Sequence, residues 1–221
     1  MADGIRIVNT FGTLLIDETY SNLALRQRGS VTLGSNNNLH VPLANGFNSP
    51  IVALTSDRPA RVGIINTTAA TPFIGLRGRE GDPAANMDYY MFDKPLSSLA
   101  VGNAGLKVYN ASGQLTFDSR LKYARVVDIF GGETQGQWVG TRTYAAGRKY
   151  AVAQLRSAWR KSTSNAGGGF YDLTFRTSMA RVVDNQVITS LQIESVKIEF
   201  DRPLNIDNMS AQFAVLDVTG Y

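Results

Sequence analysis

Seven aromatic and basic side chains in the second half of the sequence are the best candidates for binding chemistry. They are Trp138, Arg142, Tyr144, Arg148, Trp159, Arg160 and Lys161. Indole and phenol rings stack on sugar faces or bases, and guanidinium groups hold anions through paired hydrogen bonds. Both tryptophans also fall in segments predicted as strands, where burial is the default for a large ring. The set therefore predicts either a surface for a glycan or protein partner, or ordinary core packing.

Catalytic groups are few. His40 is the only histidine, and its place beside three asparagines indicates a loop or partly buried residue rather than a general base. Asp17 with Glu18, and Glu80 with Asp82, are carboxylate pairs of the kind that glycoside hydrolysis uses. However, Asp17 has Asp118 as its counterpart in an internal repeat, and an Asp at that place most simply caps a turn. No Gly-x-Ser-x-Gly, Walker A or His-Glu-x-x-His pattern occurs. We expect no enzymatic activity, no metal and no cofactor.

The composition limits the remaining classes. The chain has no cysteine, which excludes disulfides, thiolate catalysis and cysteine zinc sites. The N-terminus lacks the basic region and apolar core of a secretory signal, and no apolar stretch is long enough to span a bilayer. We expect a protein that is made and folded in a cytoplasm and does not insert into a membrane.

Positive charge is concentrated in one part of the chain. Residues 1–104 carry eight basic and eight acidic side chains, whereas residues 105–176 carry eleven basic and four acidic ones. This asymmetry indicates an acidic partner such as an anionic glycan, a nucleic acid or an acidic protein face. The alternative is a solvated surface or a contact between subunits.

An internal repeat sets the expected domain organisation. The segment Gly4–Asp17 recurs as Gly105–Asp118, and Phe92–Leu96 recurs as Phe200–Leu204. Both spacings are about a hundred residues, the size of a single β-sandwich domain. The repeat predicts two tandem domains of similar topology, residues 1–100 and residues 101–221.

The residue types that recur in both copies of the hairpin segment are those that a β-hairpin requires. Asn9 with Gly12, and Asn110 with Gly113, occupy the first and fourth positions of a type I turn. Alternating apolar residues flank each turn, as in half-buried strands. The repeat is therefore a structural signature and does not mark a catalytic site.

The rest of the sequence predicts an all-β fold, with seven to nine short strands per unit in a sandwich-like arrangement. The expected strands are Leu23–Gln27, Ser30–Leu33, Ile51–Thr55, Arg61–Asn66, Phe73–Arg77, Asp88–Asp93, Tyr123–Ile129, Gln137–Thr141, Tyr150–Gln154, Tyr171–Thr177, Ala180–Val183 and Leu191–Asp201. Helical spacing within Val152–Lys161 competes with its alignment to Ile51–Ala53, and we assign it mostly to strand. Ser162–Gly169 is predicted as turn. Phe213–Val218 resembles the first strand of the repeated hairpin, Leu106–Asn110. Either a strand of this type follows and completes each unit, with Leu106–Asn110 completing the first and Phe213–Val218 the second, or the similarity arises by chance.

The hairpin carries a resemblance. Gly105–Ser119 resembles the opening of small tail-tip and minor tail proteins of long-tailed bacteriophages and prophages, which begin with a Gly-apolar-x-Val-x-Asn-x-x-Gly hairpin. The first copy departs from this pattern at Phe11 and Glu18. The resemblance implies non-enzymatic β-domains in the virion tail that assemble with hub or fibre proteins. It also implies a homo-oligomer, with a trimer favoured.

Three functions remain, and each predicts a different partner. The leading hypothesis is a structural component of a phage tail tip or baseplate. The alternative is a receptor-recognition module that binds a host surface glycan or pilus through the basic, aromatic second domain. Nucleic-acid binding comes third, and we do not expect it. It would show an affinity that depends strongly on salt concentration.

Overall fold

A computed structural model describes residues 7–8, 14–16, 22–35, 37–44, 46–100, 102, 104–133, 139–199 and 206–221. Its strands, numbered in chain order, are β1 (Ile7–Val8), β2 (Leu14–Ile16), β3 (Ala24–Leu33), β4 (Asn38–Pro42), β5 (Ile51–Ser56), β6 (Ala60–Asn66), β7 (Phe73–Gly78), β8 (Ala85–Asp93), β9 (Lys107–Tyr109), β10 (Leu115–Asp118), β11 (Val126–Glu133), β12 (Val139–Thr143), β13 (Tyr150–Arg156), β14 (Trp159–Gly167), β15 (Phe170–Val183), β16 (Gln186–Glu199), β17 (Ile206–Asn208) and β18 (Ser210–Asp217). One 3-10 turn, Ser97–Leu99, lies between β8 and β9. The all-β prediction is confirmed.

Two antiparallel sheets contain most of these strands. The smaller sheet has the order β11-β18-β13-β5-β8-β3, and the larger has the order β12-β16-β15-β6-β7-β4. The strand β14 pairs with β15, and β17 pairs with β14, outside that linear order. Apolar residues of both sheets form common clusters of buried side chains, as in a sandwich.

Residues 1–100 and 101–221 contribute to both sheets. Three strands of the first segment continue into three strands of the second in each linear sheet order. The smaller sheet is joined where β5 pairs with β13, with Ala53 opposite Ala153, and the larger where Ala60 of β6 lies opposite Ala180 of β15. The two predicted units therefore share both sheets, because each would otherwise leave two unpaired strand edges. The duplication and the division at residue 100 stay predictions.

The core lies between the sheets in two parts. The first contains Ile74 and Leu76 of β7 with Met87 and Met91 of β8, all fully or almost fully buried. The second contains side chains of β11, β13, β15, β16 and β18, and Phe130 stacks on Phe213 there with ring centroids 5.7 Å apart. Alternate residues of β5 and β8 point to the opposite side of the smaller sheet, where a third cluster includes Ala53 and Phe92.

The predicted turn chemistry is confirmed in the second hairpin. The Gly113 N–H donates to the Asn110 carbonyl at 2.9 Å, and Gly113 has a φ of 73°. The Asn110 side-chain oxygen accepts hydrogen bonds from the N–H groups of Ser112 and Gln114. Because glycine tolerates this left-handed conformation, the turn needs glycine at its fourth position. In the first copy, β1 and β2 pair antiparallel, as predicted, and the turn residues between them lie outside the described residues.

Asp118 caps the turn that follows, as its position in the repeat predicted. Its carboxylate accepts hydrogen bonds from Nε and Nη2 of Arg120, at 2.8 and 2.6 Å, and from the Arg120 N–H. These bonds lower the pKa of Asp118 to about 2. The first copy of the other repeated segment, Phe92–Leu96, lies at the end of a strand: Phe92 is fully buried and β8 ends at Asp93 before Pro95. The second copy, Phe200–Leu204, lies outside the described residues.

Three sequence predictions are wrong. Ser162–Gly169 is mostly strand, because the residues of β14 as far as Gly167 pair with β15. Leu106–Asn110 does not complete a sandwich unit, because among the described strands its β9 pairs with β10 alone, in a separate two-stranded sheet. His40, predicted as a loop or partly buried residue, is exposed on strand β4, which the sequence analysis missed, and it stacks on Phe73. Val152–Lys161 is mostly strand, in β13 and β14, as predicted.

Candidate functional site

The larger sheet branches at β15. Along one edge, β15 pairs with β6 at Ala180 and with β14 from Phe170 to Thr177, while β16 occupies its other edge throughout. We call the resulting arrangement β17-β14-β15-β16 the branch sheet; it comprises residues 159–167, 170–177, 193–199 and 206–208. Strands β15 and β16 have fourteen residues each, well above the common strand length of about 5–6.

One face of the branch sheet combines arginines with exposed apolar side chains. Arg160 lies directly opposite Arg176 across β14 and β15. Val196 lies opposite Thr174, two residues from Arg176, and Ile198 follows it on the same face. Val196 is 46% exposed and Ile198 is 68% exposed. This face therefore offers water-exposed aliphatic groups, with Arg176 near Val196 and Asp172 directly opposite Ile198.

The opposite face is aromatic. Trp159 and Phe175 lie there with ring centroids 6.2 Å apart, and Lys161 is opposite both Phe175 and Ile206. The two rings are half-buried, whereas Ile206 is 49% exposed. The aromatic groups thus pack mainly on one another, and Ile206 adds a second exposed aliphatic position at the sheet edge.

An ion pair holds the branch sheet against β6. Arg61 donates from Nε and Nη2 to one carboxylate oxygen of Glu194, at 2.8 and 2.6 Å, and the Thr177 hydroxyl donates to the same oxygen at 2.9 Å. Both charged side chains are 13% exposed. A charge pair so little hydrated needs these several hydrogen bonds to offset its desolvation. Residues of the first and second halves therefore fix the base of the branch together.

The predicted binding residues lie in three separate places. Trp159, Arg160 and Lys161 are consecutive on β14, so Arg160 faces away from the other two. Arg142 lies on β12 over the Phe130 ring, at 5.3 Å, with Tyr144 just beyond that strand. Arg148 lies beside Asp217, and Trp138 lies outside the described residues. The six described members do not form one surface, and ligand binding by any of them stays a prediction.

Tyr144 has a structural partner. Its hydroxyl donates to the Asp128 carboxylate at 2.8 Å, and its ring is 5.1 Å from that of Tyr150. Burial and the Asp128 carboxylate raise the pKa of Tyr144 above its usual value. A phenol held in this way helps to join β11 to the chain after β12, so packing accounts for Tyr144.

Acidic residues within the chain neutralise much of the basic excess. Arg148 pairs with Asp217 at 2.6 Å, and Arg125 approaches the same carboxylate at 3.5 Å. Burial opposes the ionisation of Asp217, but hydrogen bonds from Thr219 and Arg148 outweigh it and lower its pKa to about 2. Lys149 pairs with Asp88 at 2.6 Å in the same way. These cations contribute to intramolecular contacts and are not free for a partner.

A cavity of about 470 Å³ lies beside the arginine face of the branch sheet. It is lined by Arg79, Glu80, Arg160, Arg176 and Leu191–Ile193. Sequence reasoning named Arg160 as a binding residue, considered Glu80 only as part of a carboxylate pair, and missed the others. One signal was available: Arg160 and Arg176 lie eight residues on either side of Gly168, in the glycine run 167–169 that forms the turn between β14 and β15. A hairpin centred on that run places them opposite each other.

Two searches of the described part of the chain are negative. It contains no cluster of three or more His, Cys, Asp or Glu side chains arranged to hold a metal ion. It also contains no helix whose length and apolar character would let it cross a membrane.

Comparison with known proteins gives no relative. No protein-family model matches the chain, and neither the curated proteins nor the solved structures give a significant match.

Proposed function

We propose that this protein is a structural subunit of a bacteriophage tail tip or baseplate that assembles with hub or fibre proteins through the branch sheet. The observation that carries the proposal is the exposure of Val196 and Ile198 on one face of β16. Apolar side chains that are exposed together on a folded surface mark protein interaction sites. Burying these two in an assembled particle would remove their cost of hydration.

The length of β15 and β16 supports an assembly role. Their pairing continues to Tyr171 opposite Glu199, beyond the point at which β15 leaves β6. The extra pairs extend the larger sheet without adding to the two core clusters between the sheets. A rigid, paired extension presents apolar groups to a partner at lower entropic cost than a loose loop.

The assignment to a phage tail rests on the duplicated hairpin. Both copies form antiparallel strand pairs, and the second has the Asn and Gly turn of the tail-tip proteins that it resembles. The same proposal places the protein in the virion, after synthesis in the host cytoplasm. It includes a homo-oligomer, with a trimer favoured, which sedimentation velocity of the purified chain would test.

Electron microscopy of virions produced without the protein tests the function itself. We expect tail tips of altered shape from which the protein and its direct neighbours are missing by mass spectrometry. Supplying the wild-type chain in trans should restore them. Tail tips of unchanged shape and composition in its absence would contradict the proposal.

Receptor recognition is the second candidate, and the arginine-lined cavity favours it. Trp159→Ala would disturb the packing against Phe175, so Arg160→Gln is the cleaner variant, since Arg160 is exposed. If the chain grips a host surface glycan or pilus, purified protein should bind receptor-positive cells, and Arg160→Gln should weaken that binding. Unchanged binding by a folded Arg160→Gln protein would argue against this role.

A further inference from the structure

Two like charges face each other at the cavity beside the branch sheet. Arg160 and Arg176 are directly opposite on adjacent antiparallel strands. Like charges in this position destabilise a strand pair, and guanidinium groups do not relieve the repulsion by losing protons. A third arginine, Arg79, lines the same cavity. The arrangement costs stability in the free protein.

The chain only partly compensates these charges. Arg79 is paired with Asp82 at 3.2 Å, and Arg176 donates from Nη1 to the Ser162 hydroxyl at 3.0 Å. Asp207 lies opposite Arg160 across β14 and β17, but in the described part of the chain no carboxylate lies within ion-pair distance of Arg160 or Arg176. By contrast, Arg61, Arg120 and Arg148 each have a carboxylate partner at 2.6 Å. An anion from outside the chain would therefore find two guanidinium groups without a carboxylate partner.

The other residues that line the cavity indicate which chemical groups the rest of the ligand carries. Glu80 and Gln192 offer a carboxylate and an amide, the groups that bind hydroxyls, while Leu191 and Ile193 add aliphatic surface. A cavity of about 470 Å³ is within the usual range for small-ligand sites, about 300–1,000 Å³. A compact ring that carries both an oxyanion and hydroxyl groups complements this set of side chains.

We infer that the cavity binds an acidic sugar, with its carboxylate or sulfate held by Arg160 and Arg176 and its hydroxyls bonded to Glu80 and Gln192. Paired guanidinium groups suit such an oxyanion because each can donate two parallel hydrogen bonds. The inference is separate from the assembly role, and it deepens the receptor-recognition candidate by naming a ligand class for the same cavity; binding of a soluble disaccharide tests it without virions or host cells.

Calorimetric titration of the purified chain tests the inference. The probes are a glucuronate-containing disaccharide, a neutral disaccharide of the same size, and inorganic sulfate and phosphate alone. We expect the acidic disaccharide to bind and the neutral one not to bind. Arg160→Gln and Arg176→Gln should each weaken binding about tenfold or more, because hydrogen bonds to charged groups are lost. Arg28→Gln is the matched control, since it removes the same charge from β3 of the smaller sheet, outside the cavity lining.

Four outcomes would overturn the inference. They are no binding of the acidic disaccharide at millimolar concentration, equal binding of the neutral one, equal weakening by Arg28→Gln, or sulfate or phosphate alone binding as tightly as the disaccharide. The last would show a simple anion site. Arg160→Gln keeps the test decisive if Arg176→Gln fails to fold, because the Arg160 side chain is exposed.

Discussion

The strand pairs β6–β7 and β15–β16 occupy corresponding places in the larger sheet but differ in length. The first pair has strands of seven and six residues, and the second has fourteen in each. The shorter pair shows that closing the sandwich does not require the extra length. That length instead builds the branch sheet, in which Val196 and Ile198 are exposed. The comparison separates the part of the second half that folds the protein from the part that we propose as a binding surface.

Core truncation should give the largest effect on stability. Leu76→Ala in β7 removes a fully buried side chain, and we expect a loss of about 2–5 kcal/mol in the free energy of unfolding. Ile198→Ala in β16, the corresponding strand, should change it by no more than about 0.5 kcal/mol because Ile198 is already exposed. Urea unfolding measures both values. A loss of similar size for the two variants would remove the distinction between core and branch.

The ion pair at the base of the branch should come next. Glu194→Gln leaves Arg61 in a poorly hydrated site with no full counter-charge, and we expect a loss of about 3 kcal/mol. Lys149→Gln is a suitable control, because both members of its ion pair with Asp88 are more exposed, at 50% for Lys149 and 30% for Asp88. Thermal unfolding of both variants tests this order, which would be wrong if Lys149→Gln were the more destabilised protein.

Acid should destabilise the second hairpin and the sandwich rather than the branch sheet, because Asp118 and Asp217 lie outside the branch sheet. Each has a folded-state pKa of about 2, below about 3.9 for an unfolded aspartate. A carboxyl whose pKa is lowered by folding stabilises the fold at pH values above its unfolded-state pKa. This contribution is lost as the pH falls towards about 2. Unfolding measured in this window should show a steeper decline for the wild type than for Asp118→Asn/Asp217→Asn. Identical slopes would contradict the assigned ion pairs.

Local chemistry made part of the fold predictable from sequence. The hairpin turn at Asn110–Gly113 and the cap at Asp118 depend on residues within a few positions of one another, so their letters indicate their structure. The strands β5, β7 and β13 were predicted for the same reason, because their apolar residues are clustered.

The pairing of strands that are distant in the chain could not be predicted from local sequence. The pairing of Ala53 with Ala153, which joins the halves, depends on two edges that are distant in sequence. Strand β14 carries small polar residues typical of turns, and it is a strand because β15 and β17 pair with it. The cavity was missed for the same reason, since Arg79 reaches it from the connection between β7 and β8. Only the branch topology brings these residues together.

Incorporation of two variants into virions tests the central claim most directly. Ile198→Asp places a charge on the exposed apolar face of the branch sheet, and Val183→Asp places the same charge at the far end of β15, where Val183 is 40% exposed. Both proteins should fold, as circular dichroism would verify. We predict that Ile198→Asp is missing from purified particles while Val183→Asp is present at wild-type copy number. Incorporation of Ile198→Asp at the wild-type level would contradict assembly through the branch sheet.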